Sequence, residues 1–415
     1  MLAQLRRQVV RMSRKNANYL DFNAGAPLHP SAVKKLRLFF SESDPSFLAN
    51  PSSIHAHGRL AKSEFAEARE AIAASLGAKT DPEQLVLTSS GSEANQLAIR
   101  SVLEARLLRG EKPHWITTPV EHDSVMQMQA WLKERGGAVS LLPVDKQGVP
   151  QIAALSELWR PETALVSLLW VNNETGVISP VAEAVRDVRA RGALIHIDAA
   201  QAWGKLPIDL EALGAHYVTF SGHKIGGLAG TGLLWVGRGT RVQPVILGKQ
   251  EKGRRGGTEN LAGWLSVGAA AQSLNPVQWS ERVVLLRDRL ESVIETLIPG
   301  TCINGKGAPR VANTLNLTFD QVEGDGLVMA LDLAGFSVSS GSACASGVIE
   351  PSHVLLAMGH SKQKAMAAVR VSIGETTPWE ALESFAQVLK TTVERVRRSG
   401  QIAGIRDQEQ KAALT

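Results

Sequence analysis

The sequence contains only two cysteines, Cys302 and Cys344, among its 415 residues. Two cysteines are too few for the disulfide framework of a secreted domain, and no apolar signal-peptide core follows the basic start of the chain. No apolar run approaches the roughly 18 residues that a membrane-spanning helix needs. The sequence also shows no internal repeat and no low-complexity segment. We therefore expect a soluble, cytoplasmic, globular protein that does not bind membranes.

The chain also lacks a strong excess of charge of either sign. Its 45 basic and 40 acidic residues leave a net charge of +5. Part of this excess comes from five residues near the N-terminus, namely Arg6, Arg7, Arg11, Arg14 and Lys15. An excess of this size does not predict nucleic-acid binding. We interpret residues 1–18 as a basic N-terminal extension; an organelle-targeting peptide and a start at Met12 remain open alternatives.

The order of apolar segments predicts an α/β protein with a large and a small domain. At roughly 150 residues per domain, this length corresponds to two or three domains or one large one. Between about residues 85 and 240, short β-rich runs alternate with helical stretches, which is typical of a mostly parallel sheet between helices. The predicted strands are Gln84–Thr88, Trp115–Thr118, Ala164–Val171, Ala193–Asp198, Tyr217–Ser221 and Gly232–Val236. The predicted helices between them are Glu93–Leu108 and Val181–Arg191.

After Gly263 the pattern becomes that of a smaller α+β domain. It contains predicted helices at Trp279–Leu297 and Pro378–Arg398 and predicted strands at Asn313–Phe319 and Val371–Ile373. The predicted organisation is thus a large domain over residues 19–263, a small domain over 264–400 and a loosely held tail over 401–415. About thirty residues at the start of the large domain are expected to be shared with the small one.

Polar residues follow three of the predicted strands, where ligands of parallel sheets bind. The sequence Asp198-Ala199-Ala200-Gln201 ends one strand, Ser221-Gly222-His223-Lys224 ends another, and Ser90-Gly91-Ser92-Glu93 joins a third to a helix. Each segment alone has an ordinary explanation: a turn aspartate, a surface lysine, and a serine N-cap. None of the three segments identifies a function by itself.

Together, these residues meet the requirements of a phosphorylated pyridine aldehyde. Such a cofactor needs a lysine for covalent attachment, a carboxylate for the ring nitrogen, an anion site for its phosphate and a planar group over its ring. The candidates for these four roles are, in the same order, Lys224, Asp198, the group Gly91, Ser92, Ser221 and His223, and finally His122.

Six segments, one of which is the Ser221–Lys224 segment already described, carry a family resemblance. They are Tyr19-Leu20-Asp21-Phe22-Asn23-Ala24, Asn50-Pro51-Ser52-Ser53-Ile54-His55, Val171-Asn172-Asn173-Glu174-Thr175-Gly176, Ser221-Gly222-His223-Lys224, Arg255-Gly256-Gly257-Thr258-Glu259-Asn260 and Ser339-Ser340-Gly341-Ser342-Ala343-Cys344. With these segments in this order, the chain from about Tyr19 to Leu389 resembles the fold-type I pyridoxal-phosphate enzymes of the class V aminotransferase group. It is most similar to the cysteine desulfurases. The resemblance implies a seven-stranded type of sheet in the large domain.

The resemblance also implies specific roles for residues of the cofactor and substrate sites. Lys224 would bind the pyridoxal phosphate covalently, Asp198 would pair with its ring nitrogen, Gln201 would hydrogen-bond its ring hydroxyl, and His122 would stack on the ring and move protons. The phosphate would be held by Gly91, Ser92, Ser221 and His223. The substrate carboxylate would be bound by Asn173 and Arg370, and a bidentate arginine suits a carboxylate. Thr258 would reach the cofactor of the neighbouring subunit, which implies a homodimer.

Cys344 is the residue that indicates which substrate the protein acts on. It follows a run of serine, glycine and alanine that can hardly pack a core and therefore predicts a mobile loop with an accessible thiol. In the cysteine desulfurases, the matching thiol takes the sulfur of L-cysteine as a persulfide and leaves alanine. A sulfur-acceptor protein would then receive the sulfur, for instance an iron–sulfur scaffold or a tRNA-thiolation protein. Cys302 matches no motif, and we interpret it as structural.

The sequence departs from the family pattern at two places. The phosphate loop carries serines where the family usually has glycine or alanine and threonine, and Lys249 stands where a glycine is common.

Two alternative functions stay open. The motifs of the cofactor site do not separate a cysteine desulfurase from a selenocysteine lyase, a cysteine sulfinate desulfinase or an aminotransferase of the same fold, since the cofactor chemistry is shared. A non-catalytic sulfur-scaffold protein of this fold is the second alternative.

Overall fold

The computed structural model describes residues 18–41, 49–322, 326–340 and 350–412, with residues 399–412 described by their backbone alone. The strands are β1 (Leu85–Thr88), β2 (His114–Thr117), β3 (Ala138–Leu141), β4 (Thr163–Leu169), β5 (Leu194–Asp198), β6 (Tyr217–Ser221), β7 (Gly232–Val236), β8 (Thr301–Ile303), β9 (Thr314–Phe319) and β10 (Val369–Ser372). The α-helices are α1 (Pro30–Phe39), α2 (Ala56–Ser75), α3 (Gly91–Leu107), α4 (Asp123–Met126), α5 (Met128–Lys133), α6 (Leu155–Leu158), α7 (Val181–Ala190), α8 (Leu210–Leu213), α9 (Leu261–Ala271), α10 (Pro276–Leu297), α11 (Gly326–Leu333), α12 (His353–Ala357), α13 (Lys362–Met366) and α14 (Trp379–Ala412).

Strands β1 to β7 form one seven-stranded sheet in the order β1-β7-β6-β5-β4-β2-β3. Strands β3, β2, β4, β5 and β6 pair in parallel, whereas β7 runs antiparallel to both β6 and β1. All seven residues of β4 are buried, as expected for a central strand covered by helices on both faces. These features confirm the predicted α/β fold with a mostly parallel sheet.

The edge strand β3 was not predicted from the sequence. Its four residues, Ala-Val-Ser-Leu, are half-buried or exposed because it has a neighbour on one side only. A short, partly exposed edge strand of this kind lacks the continuous apolar run by which the other six strands of the sheet were found.

Two apolar cores cover the two faces of this sheet. Alternate residues of β1 enter different cores: Leu85 and Leu87 pack in one and Val86 in the other. Helix α9 packs against α1 and α2, and its residues Trp264 and Val267 belong to the same core as Leu85. The larger core therefore continues beyond residue 263, where the sequence pattern placed the domain boundary.

A second, three-stranded antiparallel sheet, in the order β10-β9-β8, lies at the centre of a separate C-terminal core. Helices α10 and α14 pack against one another in this part of the chain. Leu20 belongs to this core, while Ala32 and Phe39 belong to the larger one. The strand β8, only three residues long, was not predicted, and α14 continues to Ala412 where a tail from residue 401 was expected.

The fold positions a site at the ends of β5 and β6, because these parallel strands both finish at the same edge of the sheet. Asp198 is the last residue of β5, and Ser221 is the last residue of β6. The short turn Gly222–Lys224 follows β6 directly. Within the described parts of the chain, no helix combines the length and the apolar character needed to cross a membrane.

Candidate active site

A cavity of about 270 Å³ lies at the carboxyl edge of the large sheet. It is lined by ten of the twelve residues singled out from the sequence, namely Gly91, Ser92, His122, Asn173, Asp198, Gln201, Ser221, His223, Lys224 and Arg370. These residues come from segments up to 279 positions apart, from Gly91 to Arg370. The fold therefore assembles one polar site from most of the predicted residues.

Lys224 also borders a larger cavity of about 500 Å³, whose wall includes Phe22, Trp203 and Trp279. Asp198 and Arg370 line the smaller cavity and do not line the larger one. We assign the chemistry to the smaller cavity because only there do an amine, a carboxylate and a guanidinium group meet.

Lys224 is held at the edge of the cavity by the main chain near the N-terminus. Its Nζ atom donates to the carbonyl oxygens of Asn23, at 2.6 Å, and Ala24, at 2.9 Å. Burial, with a smaller contribution from the charge of Arg370, lowers the pKa of Lys224 to about 8. A larger fraction of the amine is consequently neutral near pH 7 than in an exposed lysine, and the neutral amine is the form that attacks a carbonyl group.

The turn that carries Lys224 requires a glycine at position 222. A Cβ atom on Gly222 would lie 2.4 Å from Oγ1 of Thr231 and 2.5 Å from a methyl group of Val267. Real Cβ atoms do not approach other atoms so closely. A side chain at position 222 would therefore displace the lysine that follows two residues later.

Asp198 is a buried carboxylate with both oxygen atoms occupied. Its Oδ2 atom accepts from Nδ2 of Asn95 at 2.7 Å, and its Oδ1 atom accepts from the N–H of Ala200 at 3.0 Å. Only 2% of the residue is exposed. Two donors stabilise the ionised form of a buried carboxyl group, so this carboxylate is suited to pair with a cationic ring nitrogen.

The start of α3 and the end of β6 form a site suited to an anion. Ser90 caps α3 by accepting the N–H of Glu93, and the helix geometry leaves the N–H groups of Gly91 and Ser92 without partners in the helix. A Cβ atom on Gly91 would lie 3.4 Å from Cβ of Ser221, so the helix start contacts the strand end.

Two neighbouring side chains complete this anion site. Oγ of Ser221 lies 3.0 Å from Nδ1 of His223. Burial and the charge of Lys224 lower the pKa of His223 to about 4, so the imidazole is neutral at pH 7 and acts there through hydrogen bonds. The carboxylate of Glu93, also in the first turn of α3, is neutralised by Arg255 at 2.8 Å.

His122 projects an exposed ring at the mouth of the cavity. The residue caps α4, and its Nδ1 atom accepts the N–H of Ser124 at 3.2 Å. A nitrogen that accepts a hydrogen bond carries no proton, so Nε2 bears the hydrogen of the neutral ring. This arrangement fixes the ring through Nδ1 and leaves Nε2 available for proton transfer.

Gln201 belongs to a buried polar cluster with Asn23 and Lys205. Its Nε2 atom donates to the carbonyl oxygen of Asn23 at 2.8 Å, and its Oε1 atom accepts from Nζ of Lys205. Lys205 also donates to Oδ1 of Asn23 at 2.8 Å. Burial, together with the charges of Lys224 and Arg370, holds the pKa of Lys205 well below the ordinary lysine value. The cluster fixes Gln201, which keeps one amide hydrogen for a ligand.

Arg370, on β10, is 5% exposed and only partly satisfied. Its Nη2 atom donates to Oδ1 of Asp21 at 2.7 Å, and its Nη1 atom donates to the carbonyl oxygen of Asn173 at 3.2 Å. Its Nε atom is buried and has no partner among the described residues. A buried donor without a partner is costly, and Arg370 lines the cavity, where its guanidinium group would pair with a ligand carboxylate.

Two predicted site residues do not line the cavity. Thr258 is exposed and borders a separate depression with Arg255 and Glu251, so this chain does not bring Thr258 to its own site. Cys344 lies outside the described residues. Cys302, interpreted as structural, is half-buried on β8 with its Sγ atom 3.6 Å from Oδ1 of Asn304.

The structure adds four residues that sequence reasoning missed, namely Asn23, Asn95, Glu121 and Lys205. Each of the four is a polar side chain that is buried in the folded chain. Asn95, on the buried face of α3, offered a usable signal because a buried amide needs a partner.

Comparisons with known proteins agree with this geometry. Residues 18–385 match the family described as Aminotransferase class-V. The cysteine desulfurase of Nostoc sp. is 38% identical over 382 residues, which cover 91% of this chain and 93% of that protein. The cysteine desulfurase NifS of Azotobacter vinelandii is 37% identical over 384 residues, with 91% and 93% coverage.

Solved structures give the same result. A NifS-like protein superposes with a TM-score of 0.82 at 30% identity, covering 91% of this chain and 99% of its own. SspA in complex with cysteine superposes with a TM-score of 0.75 at 30% identity, covering 86% and 99%. The cavity and the matches over most of the chain lead to one conclusion: the chain belongs to the class-V aminotransferase family and is a relative of its cysteine desulfurases.

Proposed function

We propose that this chain is a pyridoxal-phosphate-dependent cysteine desulfurase. It converts L-cysteine into L-alanine and transfers the sulfur to Cys344. The observation that carries the proposal is the meeting of Lys224, Asp198 and the unsatisfied Nε atom of Arg370 in one cavity. An amine, a buried carboxylate and a carboxylate-binding guanidinium group are the three groups that an amino-acid-converting site of this family needs.

The residues present fit pyridoxal phosphate. Lys224 would supply the amine for covalent attachment, and Asp198, which accepts one hydrogen bond on each oxygen, would pair with the ring nitrogen. The free N–H groups of Gly91 and Ser92, with Ser221 and His223, hold the phosphate. His122 would cover the ring, and Gln201 would donate to the ring hydroxyl. When bound, the cofactor withdraws electrons from the Cα atom of the amino acid.

Arg370 and Asn173 orient the substrate. The Nε atom of Arg370 has no partner among the described residues, and Asn173 uses its carbonyl oxygen, not its side chain, to accept from Arg370. A substrate carboxylate at this position would receive hydrogen bonds from both side chains. SspA, whose solved structure contains cysteine, provides a structural relative that binds this amino acid.

Both ends of the segment that carries Cys344 are attached to residues of the cavity. Ser339 exchanges two main-chain hydrogen bonds with Arg370, at 2.7 and 3.2 Å. Ser352 donates to the carboxyl group of Glu174, and Nε2 of His353 lies 2.9 Å from the carbonyl oxygen of Glu121. Cys344 follows Ser339 by five residues in the sequence, and we propose that its thiol acts at this site.

The proposed sulfur transfer conserves atoms and electrons and needs no further oxidant or reductant. The thiolate of Cys344 attacks the sulfur of the substrate, and a new S–S bond forms. The C–S bond breaks, and its electron pair remains on the substrate carbon, which then takes a proton to give alanine. L-cysteine and the protein thiol thus become L-alanine and a protein persulfide. The sulfur then passes to an acceptor protein.

We further propose that the active protein is a homodimer. Thr258 is exposed, and the loop that carries it also exposes Leu247, which is 82% accessible. Ile54, in a segment shared with the desulfurases, is 91% exposed. Apolar side chains exposed to this degree suit a protein contact. If a second copy of the chain covered these side chains, Thr258 of the first copy would lie near the phosphate site of the second.

The test compares alanine release from L-cysteine by the unchanged protein, Cys344→Ala and the matched control Cys302→Ala. We expect alanine from the unchanged protein and the control, and none above background from Cys344→Ala. The visible absorbance of the cofactor should remain in all three. Sulfur release that does not depend on Cys344 would favour a selenocysteine lyase or a sulfinate desulfinase. A protein that stays colourless with pyridoxal phosphate would contradict the cofactor assignment.

A further inference from the structure

A second buried carboxyl group, that of Glu121, lines the active-site cavity. Its Oε1 atom accepts two hydrogen bonds, from Oγ1 of Thr118 at 2.6 Å and from the N–H of Leu169 at 3.0 Å. Its Oε2 atom is buried and has no partner among the described residues, and only 1% of the residue is exposed. One oxygen of this carboxyl group is thus saturated while the other has none of the donors that would stabilise a negative charge.

Glu121 is held next to the carboxylate that would bind the ring nitrogen. Leu169, which donates to Glu121, is the register partner of Asp198 in the pairing of β4 with β5. Asp198 differs from Glu121 in its hydrogen bonds, because it receives one donor on each oxygen. The two carboxyl groups are therefore neighbours in one buried site. Only Asp198 has a hydrogen-bond donor on each of its oxygen atoms.

Two neighbouring carboxyl groups in a buried site do not both ionise at neutral pH, since like charges and desolvation oppose the second ionisation. Burial, followed by the charge of Asp198, raises the pKa of Glu121 to about 8. The other ionisable side chains that line the cavity are those of His122, Asp123, Glu174, His223, Lys224, His353 and Arg370. Thr118 and Leu169, the two donors to Oε1, carry no charge.

We propose that Glu121 is a positioning residue that stays protonated beside Asp198 and presents the hydrogen on Oε2 to the cavity as a donor. This inference rests on the proposed function, because the acceptor would be a cofactor or substrate atom. The neutral acid prevents a second negative charge from forming next to Asp198. At alkaline pH the same group ionises and changes the charge around the ring.

Glu174 is the competing candidate for a protonated acid in this cavity. It is also buried, and desolvation raises its pKa. Its Oε2 atom, however, accepts from the hydroxyl group of Ser352, so its carboxyl group has a donor where that of Glu121 has none. A direct measurement of the protonated form must separate these two residues.

The test is infrared spectroscopy of the purified full-length protein, with and without pyridoxal phosphate, across a pH series. A protonated carboxyl group gives a carbonyl stretching band that an ionised one does not. We expect a band at pH 7 that disappears as the pH rises through about 8, as the pKa of Glu121 requires. The band should be absent from Glu121→Gln. It should remain in Asp123→Asn, which removes an exposed carboxyl group two residues away, and in Glu174→Gln.

The visible absorbance of the bound cofactor provides a second readout, which does not depend on the assignment of infrared bands. Glutamine reproduces the neutral donor, so Glu121→Gln should keep its thermal midpoint and bind pyridoxal phosphate. It lacks the negative charge that Glu121 gains at alkaline pH, and that charge raises the pKa of neighbouring groups. The pH midpoint of the cofactor's visible absorbance should therefore be lower in Glu121→Gln than in the unchanged protein.

A carbonyl band that persists in Glu121→Gln, or its absence at pH 7, would overturn the inference. Glu121→Met, which has similar volume and no donor, should bind the cofactor about tenfold more weakly, as expected for the loss of one buried hydrogen bond. Equal binding by both variants would also overturn the inference. None of these readouts uses desulfurase turnover, so failure to release alanine would count against the proposed function and leave the assignment of Glu121 intact.

Discussion

Arg370, which lines the active-site cavity, forms an ion pair with the half-buried Asp21, with Nη2 of the arginine 2.7 Å from Oδ1 of the aspartate. Arg370 is 5% and Asp21 19% exposed in their side chains. The pair fixes one end of the guanidinium group on the protein. The Nε atom remains without a partner among the described residues, and Arg370 lines the cavity, where its guanidinium group would bind a substrate carboxylate.

The first prediction concerns Arg370→Lys. Lysine keeps the positive charge and can still pair with Asp21, but it loses the planar fork that holds Asp21, Asn173 and a ligand together. We expect KM for L-cysteine to rise by roughly ten- to a hundredfold, because charge-assisted hydrogen bonds contribute about 1.5–3 kcal/mol. Steady-state kinetics would check this. Pyridoxal phosphate binding should change little, and an unchanged KM would contradict the substrate role.

Much of the site could be predicted from the sequence because its main groups lie in short local patterns. Asp198 ends one recognisable strand and Lys224 lies just after another, and the fold brings neighbouring strand ends together. Glu121, by contrast, gave no signal beside the predicted His122, since its role depends on a distant strand. Its contact to Leu169 spans 48 residues, and the contact between Asn95 and Asp198 spans 103.

The difference between local sequence patterns and long-range contacts also explains which strands could be predicted. Strand β4 was predicted because a mostly apolar run is a strong local signal, and all seven of its residues are buried. Strands β3 and β8 were missed because each is short and partly exposed, so their structure depends on pairing with a neighbour rather than on their own sequence. Position at a sheet edge is a tertiary property, and a local pattern does not contain it.

The second prediction concerns Asn95, whose Nδ2 atom donates to Asp198. Asn95→Leu removes this donor and leaves one oxygen of a buried carboxylate unsatisfied. We expect pyridoxal phosphate to bind roughly ten- to a hundredfold more weakly, in line with the cost of losing a hydrogen bond to a charged group. Cofactor titration followed by visible absorbance would measure this.

Ser124→Ala is the matched control for Asn95→Leu. Nδ2 of Asn95 also lies 2.9 Å from Oγ of Ser124, so this variant removes the other partner of the amide, together with the 2.8 Å contact of Oγ to Nδ1 of His122, and keeps both donors to Asp198. The control should bind the cofactor more tightly than Asn95→Leu. Equal loss in both variants would mean that general packing, and not the donor to Asp198, determines binding.

The third prediction is a pH dependence of Lys224 in the cofactor-free protein. Only the neutral amine reacts with an aldehyde, so the rate of covalent attachment should rise with pH and reach half its maximum at about pH 8. Arg370 lowers the pKa of Lys224, and removing that charge should move the midpoint to higher pH. The rate of reductive trapping of pyridoxal phosphate would measure the midpoint in the unchanged protein and in Arg370→Gln.

Arg282→Gln provides the control for this pH series. Arg282 is a surface residue that pairs with Glu375, and the Lys224 amine is not among its partners. The midpoint of this variant should equal that of the unchanged protein. A downward shift in Arg370→Gln, or equal shifts in both variants, would show that the electrostatic account of Lys224 is wrong.

The fourth prediction concerns stability and compares two adjacent residues with the same unusual backbone. Glu251 and Lys252 both have positive φ, at 49° and 57°. Glu251 is 4% exposed, pairs with Arg69 and accepts the N–H of Leu87 on the edge strand β1 at 3.1 Å. Lys252 is 67% exposed and pairs with Glu83 at the surface.

Alanine in place of Glu251 leaves a buried guanidinium group and a strand N–H without this partner. We expect the free energy of unfolding to fall by about 3–5 kcal/mol, the usual effect of breaking a buried ion pair. Lys252→Ala should cost about 1 kcal/mol or less, as for an exposed pair. Denaturant titrations of both variants would measure the difference. Because both substitutions keep a Cβ atom at a left-handed residue, backbone strain cancels, and equal losses would contradict the role given to the Glu251 carboxylate.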